Sequence, residues 1–320
     1  MSQRPLSLFG LQGSRPFAER VADRLEVALA RHEERNFEDG EHKARPLHEV
    51  RGHDVFVLHN LHGDAEESAN DKLCRLLFFC GALKDAGAER VTAVTPYLCY
   101  ARKDRRTKPH DPITTRYVAA LFEAMRIDRV ITLEVHNLAA FENAFRCPTW
   151  HIDSTALLAA HFAPLFGREP VVSVSPDAGG AKRAEQFRQE MEKLTGHDVG
   201  SAYMEKFRSG GVVSGALLAG DVHGKVAVII DDLIATGGTL VRAAMACRAA
   251  GATRVFAAAA HGLFMDGAPE LFATSALNGI VVTNTVPPFR LPPETAARQL
   301  TVLDASASIA RVIATCHDAG

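Results

Sequence analysis

The strongest chemical signal in the chain is an apolar run that meets two carboxylates and then a glycine turn, Val226-Ala-Val-Ile-Ile-Asp231-Asp232-Leu-Ile-Ala235-Thr236-Gly237-Gly238-Thr239. Glycines let backbone N–H groups turn inward around a phosphate, and the positive end of a following helix adds to the attraction. The hydroxyls of Thr236 and Thr239 supply further donors. Asp231 and Asp232 would repel a phosphate placed beside them, so they read as acceptors for sugar hydroxyls. In open α/β sheets such ligands bind beyond the carboxyl ends of strands. The plainer alternative is a polar turn after a core strand. No Walker lysine follows the glycines and no G-x-G-x-x-G is present, so neither a P-loop nor a dinucleotide fingerprint is written here.

Other residues have types that bind anions, metals or rings. Arg102, Lys103, Arg105, Arg106 and Lys108 form a dense basic run around Asp104. Taken alone, such a run is a solvated charged face. Behind the strand-like Val91–Thr95 it lies at a strand's carboxyl end, where a triphosphate needs counter-charge. His136 closes the run Val130–Val135, and Asp177 follows Val171–Val174, which brings an imidazole and a carboxylate to strand ends. A lone histidine after a strand is also commonly structural. In Phe37-x-Asp39-x-Glu41, a ring and two acceptors share one side if the segment is extended; a solvated hairpin turn is the competing reading. Lys206 and Arg208 point to one face of an extended chain and diverge on a helix. His59 and His62 have a ligand-like spacing but lack partners at zinc-site spacing.

Strand-like runs alternate with helical patterns, the signature of parallel sheets with crossover helices. Apolar strand candidates are Val55–Leu58, Val91–Thr95, Val130–Val135, Val171–Val174, Val226–Ile230, Val255–Ala259 and Ile280–Val282. A helix is expected from about Pro112 to Met125, with Asp111 as N-cap and Val118, Leu121, Phe122 and Met125 on one apolar face. Ala86-Gly87-Ala88-Glu89-Arg90-Val91 recurs as Ala250-Gly251-Ala252-Thr253-Arg254-Val255, each copy preceded by an apolar strand. Two related α/β halves are therefore expected, residues 1–152 and 153–302, with 303–320 packing back on the first. The 320 residues hold two ordinary domains, 47% are hydrophobic, and a net charge of -2 argues against nucleic acid as a partner. No apolar run approaches membrane-spanning length, so no membrane partner is expected. The start lacks a signal-peptide stretch, and six cysteines without a C-x-x-C pair read as reduced, buried thiols of a cytoplasmic protein.

The whole set resembles the ribose-phosphate diphosphokinase (phosphoribosyl diphosphate synthetase) family. Besides the glycine loop, the segments that carry the resemblance are Phe37-Glu-Asp39-Gly-Glu41, Asn70-Asp71-Lys-Leu73, Pro96 through Arg105, Ile131-Thr-Leu-Glu134-Val-His136, Ser175-Pro-Asp177 through Arg183, and Val282-Thr-Asn284-Thr, in family order over nearly the whole chain. The resemblance implies an α/β fold of two similar phosphoribosyltransferase-like (Rossmann-like) domains with mainly parallel sheets. It implies transfer of the diphosphate of MgATP to the C1 hydroxyl of ribose 5-phosphate, with Mg²⁺ as cofactor. Carried over residue by residue, Phe37, Asp39, Glu41, Arg102 and Lys103 would hold ATP. Asp231, Asp232, Thr236, Gly237, Gly238 and Thr239 would hold ribose 5-phosphate, and His136 and Asp177 the metal. Lys206 and Arg208 would lie on a catalytic lid. A homo-oligomer built on dimers, up to a hexamer, is implied as well. The chain departs from the family at Ala235, where an acid is usual, and at Lys103, where glutamine is usual. Two rivals share parts of the pattern: a catalytically silent synthetase-like regulatory subunit, and a type I phosphoribosyltransferase, which needs only the loop.

Overall fold

The computed structural model describes residues 4–209 and 212–319, with the side chains of 206–216 outside the description. The chain divides into two compact units, Met1–Ile152 with Ala305–Gly320, and Asp153–Asp304.

In the first unit the elements follow in the order β1 (Leu6–Gly10), α1 (Arg15–Leu25), β2 (His32–Asn36), β3 (His42–Pro46), β4 (Asp54–Leu58), α2 (Ala69–Asp85), β5 (Arg90–Val94), α3 (Thr114–Ala124), β6 (Arg129–Leu133), α4 (Leu138–Ala144) and β7 (Thr149–Ile152). Five strands form a wholly parallel sheet in the order β1-β4-β5-β6-β7. Covered on both faces, parallel strands become near-continuous apolar runs, and every residue of β4 is buried. β2 and β3 stand apart as an antiparallel hairpin whose last rung is Asn36 opposite His42. α2 begins with a reciprocal cap: Ser68 Oγ accepts from Asp71 N–H, and Asp71 Oδ2 accepts from Ser68 N–H at 2.8 Å.

α3 corrects the sequence reading in two respects. It starts at Thr114 after Ile113, and Asp111 does not cap it. Asp111 Oδ2 instead accepts from Lys103 Nζ, Thr107 N–H and Oγ1, and Lys108 N–H. The basic turn offers one carboxylate four donors, more than a helix end would. The buried face is Thr115, Val118, Ala119 and Phe122, while Leu121 is exposed.

The second unit continues with α5 (Thr155–Phe166), β8 (Val171–Ser175), α6 (Ala181–Thr195), β9 (Gly200–Ser209), β10 (Val212–Ala219), β11 (Val226–Ile234), α7 (Gly238–Ala249), β12 (Arg254–Gly262), α8 (Ala268–Ala273), β13 (Gly279–Thr283), α9 (Pro293–Gln299) and β14 (Leu300–Leu303). Its seven strands run β10-β9-β8-β11-β12-β13-β14, and only β10 is antiparallel to its neighbour. From β8 the chain winds outward to β9, then returns to lay β11 on the other side of β8. This reversal of strand order makes β8 and β11 the switch point of the sheet, and folds of this kind bind ligands beyond the carboxyl ends of the strands there.

The last helix, α10 (Ser306–Asp318), belongs to the first unit. It packs on α1 and β7, with Ile309 and Ile313 buried. Arg129 Nη1 donates to the Cys316 carbonyl at 2.6 Å, and His317 Nδ1 lies 3.0 Å from Asp54 Oδ2.

The short repeat is the same joint built twice. In both copies a helix ends, a glycine takes φ +90°, and a strand begins three residues on. Gly87 O accepts from Gly52 N–H at 2.9 Å, and Gly251 O accepts from Gly224 N–H at 3.0 Å. All six cysteines are free thiols; Cys80, Cys99, Cys247 and Cys316 are buried, but Cys74 is exposed on α2.

Candidate active site

In the second unit the two carboxylates do not end their strand. β11 runs on to Ile234, paired with β12 through Asp231, Leu233 and Ile234, while its pairing with β8 stops at Ile229 opposite Val174. Asp231 and Asp232 therefore sit where β11 has lost one neighbour and kept the other, at the switch between β8 and β11. Asp231 Oδ1 accepts from Asp232 N–H at 2.9 Å, and Arg183 Nη1 of α6 lies 3.9 Å from Asp232 Oδ1. Burial, reinforced by the adjacent Asp232, holds the Asp231 carboxyl well above the usual carboxylate range, and Arg183 opposes this. Arg183, the last residue of the Ser175–Arg183 segment, is a site residue that the sequence reading did not single out. Its signal in the sequence was its place less than two helical turns after Asp177.

Beyond Ile234 the chain turns through Ala235 and Thr236 into α7. Gly237 has φ +81° and precedes the first turn, and no side chain caps the helix. A Cβ at Gly237 would stand 2.9 Å from Leu271 Cβ, so the position needs glycine on two counts. The N–H groups of Gly238, Thr239 and Leu240 are first-turn donors at the positive end of a twelve-residue helix, the geometry that receives a phosphate. Thr236 is exposed, and Thr239 Oγ1 accepts from Arg242 Nη2 at 3.2 Å. Asp177 follows β8, half-buried. Its Oδ1 accepts from Gly179 N–H at 2.9 Å and Gly180 N–H at 3.1 Å, which orients the carboxylate at the start of α6. The structure thus brings Asp177, Asp231, Asp232 and the 236–239 turn to one edge of one sheet.

Lys206 and Arg208 lie on β9, opposite Ala216 and Val213 of β10. Their side chains fall outside the described residues.

In the first unit, Phe37-Glu-Asp39-Gly-Glu41 is a tight turn and not an extended segment. Phe37 N–H donates to Glu41 O at 2.7 Å, Gly40 takes φ +89°, and Glu41 N–H donates to Asp39 Oδ1 at 3.0 Å. The five residues close the β2–β3 hairpin, so alternation does not govern which way their side chains point. The Arg35 guanidinium lies over the Phe37 ring at 5.1 Å. Arg102 is exposed on the irregular segment after β5. Lys103 Nζ is held by Asp111 Oδ2 at 2.6 Å, and these contacts keep the Asp111 carboxyl far below the usual range. Thr115 Oγ1 of α3 donates to the Tyr100 carbonyl at 3.0 Å and steadies the same segment. His136 is exposed, three residues past β6. Its neighbour Asn137 caps α4 and donates from Nδ2 to Asp104 Oδ2 at 2.6 Å, which ties the basic segment to the His136 segment.

His59 and His62 are both buried. His59 Nδ1 lies 3.0 Å from Ser14 Oγ, and burial with the nearby Lys72 and Arg75 charges holds its pKa well below the ordinary value. Among the described residues, no three His, Cys, Asp or Glu side chains converge as a metal cage. Mg²⁺ usually binds through one or two carboxylates plus substrate phosphates, and Asp177 is a donor of that kind.

A doubly wound sheet with this turn at its switch point defines the phosphoribosyltransferase type of α/β protein. Residues 6–125 match the family described as the N-terminal domain of ribose phosphate pyrophosphokinase, and residues 214–319 the phosphoribosyl synthetase-associated domain. The chain is 33% identical to ribose-phosphate pyrophosphokinase 1 of Streptococcus pyogenes serotype M1, over 99% of this chain and 96% of that one. It is 36% identical to ribose-phosphate pyrophosphokinase of Fusobacterium nucleatum, over 88% of this chain and 86% of that one. The crystal structure of phosphoribosylpyrophosphate synthetase from Mycobacterium smegmatis superposes with a TM-score of 0.88 at 33% identity, covering 99% of this chain and 100% of that one. The chain belongs to the ribose-phosphate pyrophosphokinase family.

Proposed function

We propose that this chain transfers the β,γ-diphosphate of MgATP to ribose 5-phosphate, giving 5-phosphoribosyl 1-diphosphate and AMP. The observation that carries the reading is the β8–β11 switch, where an uncapped helix end and a pair of carboxylates share one edge. The turn 236–239 would take the 5-phosphate on its N–H groups and threonine hydroxyls. Asp231 and Asp232 would accept from ribose hydroxyls, an arrangement that holds C1 in place. The C1 oxygen then bonds to the β-phosphorus, the bond from that phosphorus to the α-phosphate oxygen breaks, AMP leaves with the electron pair, and the hydroxyl proton passes to solvent.

ATP is assigned to Phe37, Asp39, Glu41, Arg102 and Lys103. Lys103 would have to share its ammonium with Asp111. Asp177 and His136 would hold Mg²⁺, which supplies charge neutralisation on the phosphates when bound. Lys206 and Arg208 would stabilise charge on the transferring group. Homo-oligomerisation and a cytoplasmic location belong to the same reading. No helix among the described residues is long and apolar enough to cross a membrane.

The test is direct. Purified protein with MgATP and ribose 5-phosphate should yield AMP and phosphoribosyl diphosphate in equal amounts and no ADP. Formation of ADP would indicate transfer of a single phosphate. No product at all from folded protein would leave a silent, synthetase-like regulatory subunit as the better reading.

A further inference from the structure

Outside the site just described, the first unit buries a network of charges that the proposed reaction does not use. Arg75 lies on the buried side of α2. Its Nη2 donates to Asn36 Oδ1 at 2.7 Å and also to Glu67 Oε1, and its Nη1 lies 3.4 Å from Glu34 Oε2. Glu34 Oε1 in turn accepts from Gln12 N–H at 2.7 Å and lies 2.7 Å from His32 Nε2. One turn earlier on α2, the fully buried Lys72 donates to Asp64 Oδ2, and Asp64 Oδ1 accepts from Glu66 and Glu67 N–H at 2.9 Å each. That pair shapes the loop from which Glu67 reaches Arg75.

Glu34 and Asn36 are alternate residues of β2 and so face the same way, toward α2. Asn36 is half of the last rung before the Phe37–Glu41 turn. The other half, His42, stacks on Phe78 of α2 with ring centroids 5.8 Å apart and planes at 19°. Both ends of that rung are thus bound to one helix. Apolar side chains of similar volume would join hairpin and helix without desolvating ions. What the guanidinium fork adds is direction, because its donors meet their acceptors in only one register.

We propose that Arg75 is a positioning residue for the nucleotide: through Asn36 and Glu34 it fixes the height and angle of the Phe37–Glu41 turn, and with them the affinity for ATP. The proposal rests on the assignment of ATP to that turn.

Arg75→Met keeps the length of the side chain and removes the fork. It should raise KM for ATP by about tenfold with kcat nearly unchanged, the pattern of lost uniform binding. KM for ribose 5-phosphate should stay put. Hydrogen exchange at residues 36–42 should quicken, and Arg75→Lys should recover part of both effects. Should Arg75→Met fail to fold, Asn36→Ala removes a single contact at the surface and should move KM for ATP and exchange in the same direction. The proposal is overturned if folded Arg75→Met leaves KM for ATP unchanged, or raises both KM values equally. Unchanged exchange at 36–42 in Asn36→Ala overturns the anchoring whatever the activity. A wild-type chain that forms no AMP is a different result, because it removes the ATP assignment and is seen before any variant is made.

Discussion

Asp231 is the residue at which the fold and the proposed chemistry pull hardest against each other. Its carboxyl is half-buried beside a second carboxylate, and both effects favour the proton. The group binds its proton more tightly in the folded chain than in the unfolded one. The stability this contributes is full at acid pH, below the ordinary carboxylate range, and is lost as pH rises through the raised folded value. Asp231→Asn keeps the shape without the charge. It should therefore stabilise the protein at neutral and alkaline pH, with a gap to wild type that widens as pH rises and closes toward pH 4, at about 2–4 °C of melting temperature per kcal/mol. Thermal melts of both proteins across that pH range give the answer, and a gap independent of pH would show that Asp231 carries no such burden. The same substitution should abolish ribose 5-phosphate turnover if the acceptor role is right, which makes this position a trade of stability for function.

At the scale of elements, two glycines with similar left-handed φ values serve different purposes. Gly237 opens α7 at +81° with Leu271 of α8 in the way of any Cβ, and Gly251 closes the joint before β12 at +90°. At Gly251 the nearest obstacle is the exposed ring of His223, which can swing aside. Gly251→Ala should thus cost only backbone strain, about 1–3 kcal/mol, and leave KM for ribose 5-phosphate alone. Gly237→Ala meets packed side chain as well as strain, so the turn itself must move. It should raise KM for ribose 5-phosphate by at least about tenfold, the factor for each ~1.4 kcal/mol of binding lost. Urea melts and substrate titrations of the two variants side by side separate strain from site geometry. Equal KM values would mean that the 236–239 turn is not the phosphate cradle.

For the whole molecule, the chain crosses from the first unit to the second after Ile152 and comes back at Ala305. α10 packs on α1 and β7 of the first unit, with Ile313 buried. Ile313→Ala should cost about 2–5 kcal/mol, the usual range for such a truncation. The loss should fall on the first unit alone. Hydrogen exchange should show β1, α1 and β7 losing protection while β8 and β11 keep theirs. A uniform loss over the chain would mean that the two units unfold as one.

Much of this was legible in the residues. Strands buried on both faces are written as short apolar runs, so β4, β5, β6, β8, β11, β12 and β13 stood out to within a few residues. The glycine turn after β11 could be read because only a few residue types tolerate φ near +80°. β1, β3, β9 and β10 were not among the runs read as strands, nor were β2, β7 and β14, whose residues are polar or half exposed and whose pairing depends on what lies next to them. Only the tertiary structure decided that Asp111 answers the basic run rather than α3. Only it could show that β11 continues past its carboxylates along one neighbour, and that Arg75 meets Asn36 from far along the chain. In each case the choice was among several partners of matching charge or shape, and proximity in three dimensions, which no local pattern encodes, selected one.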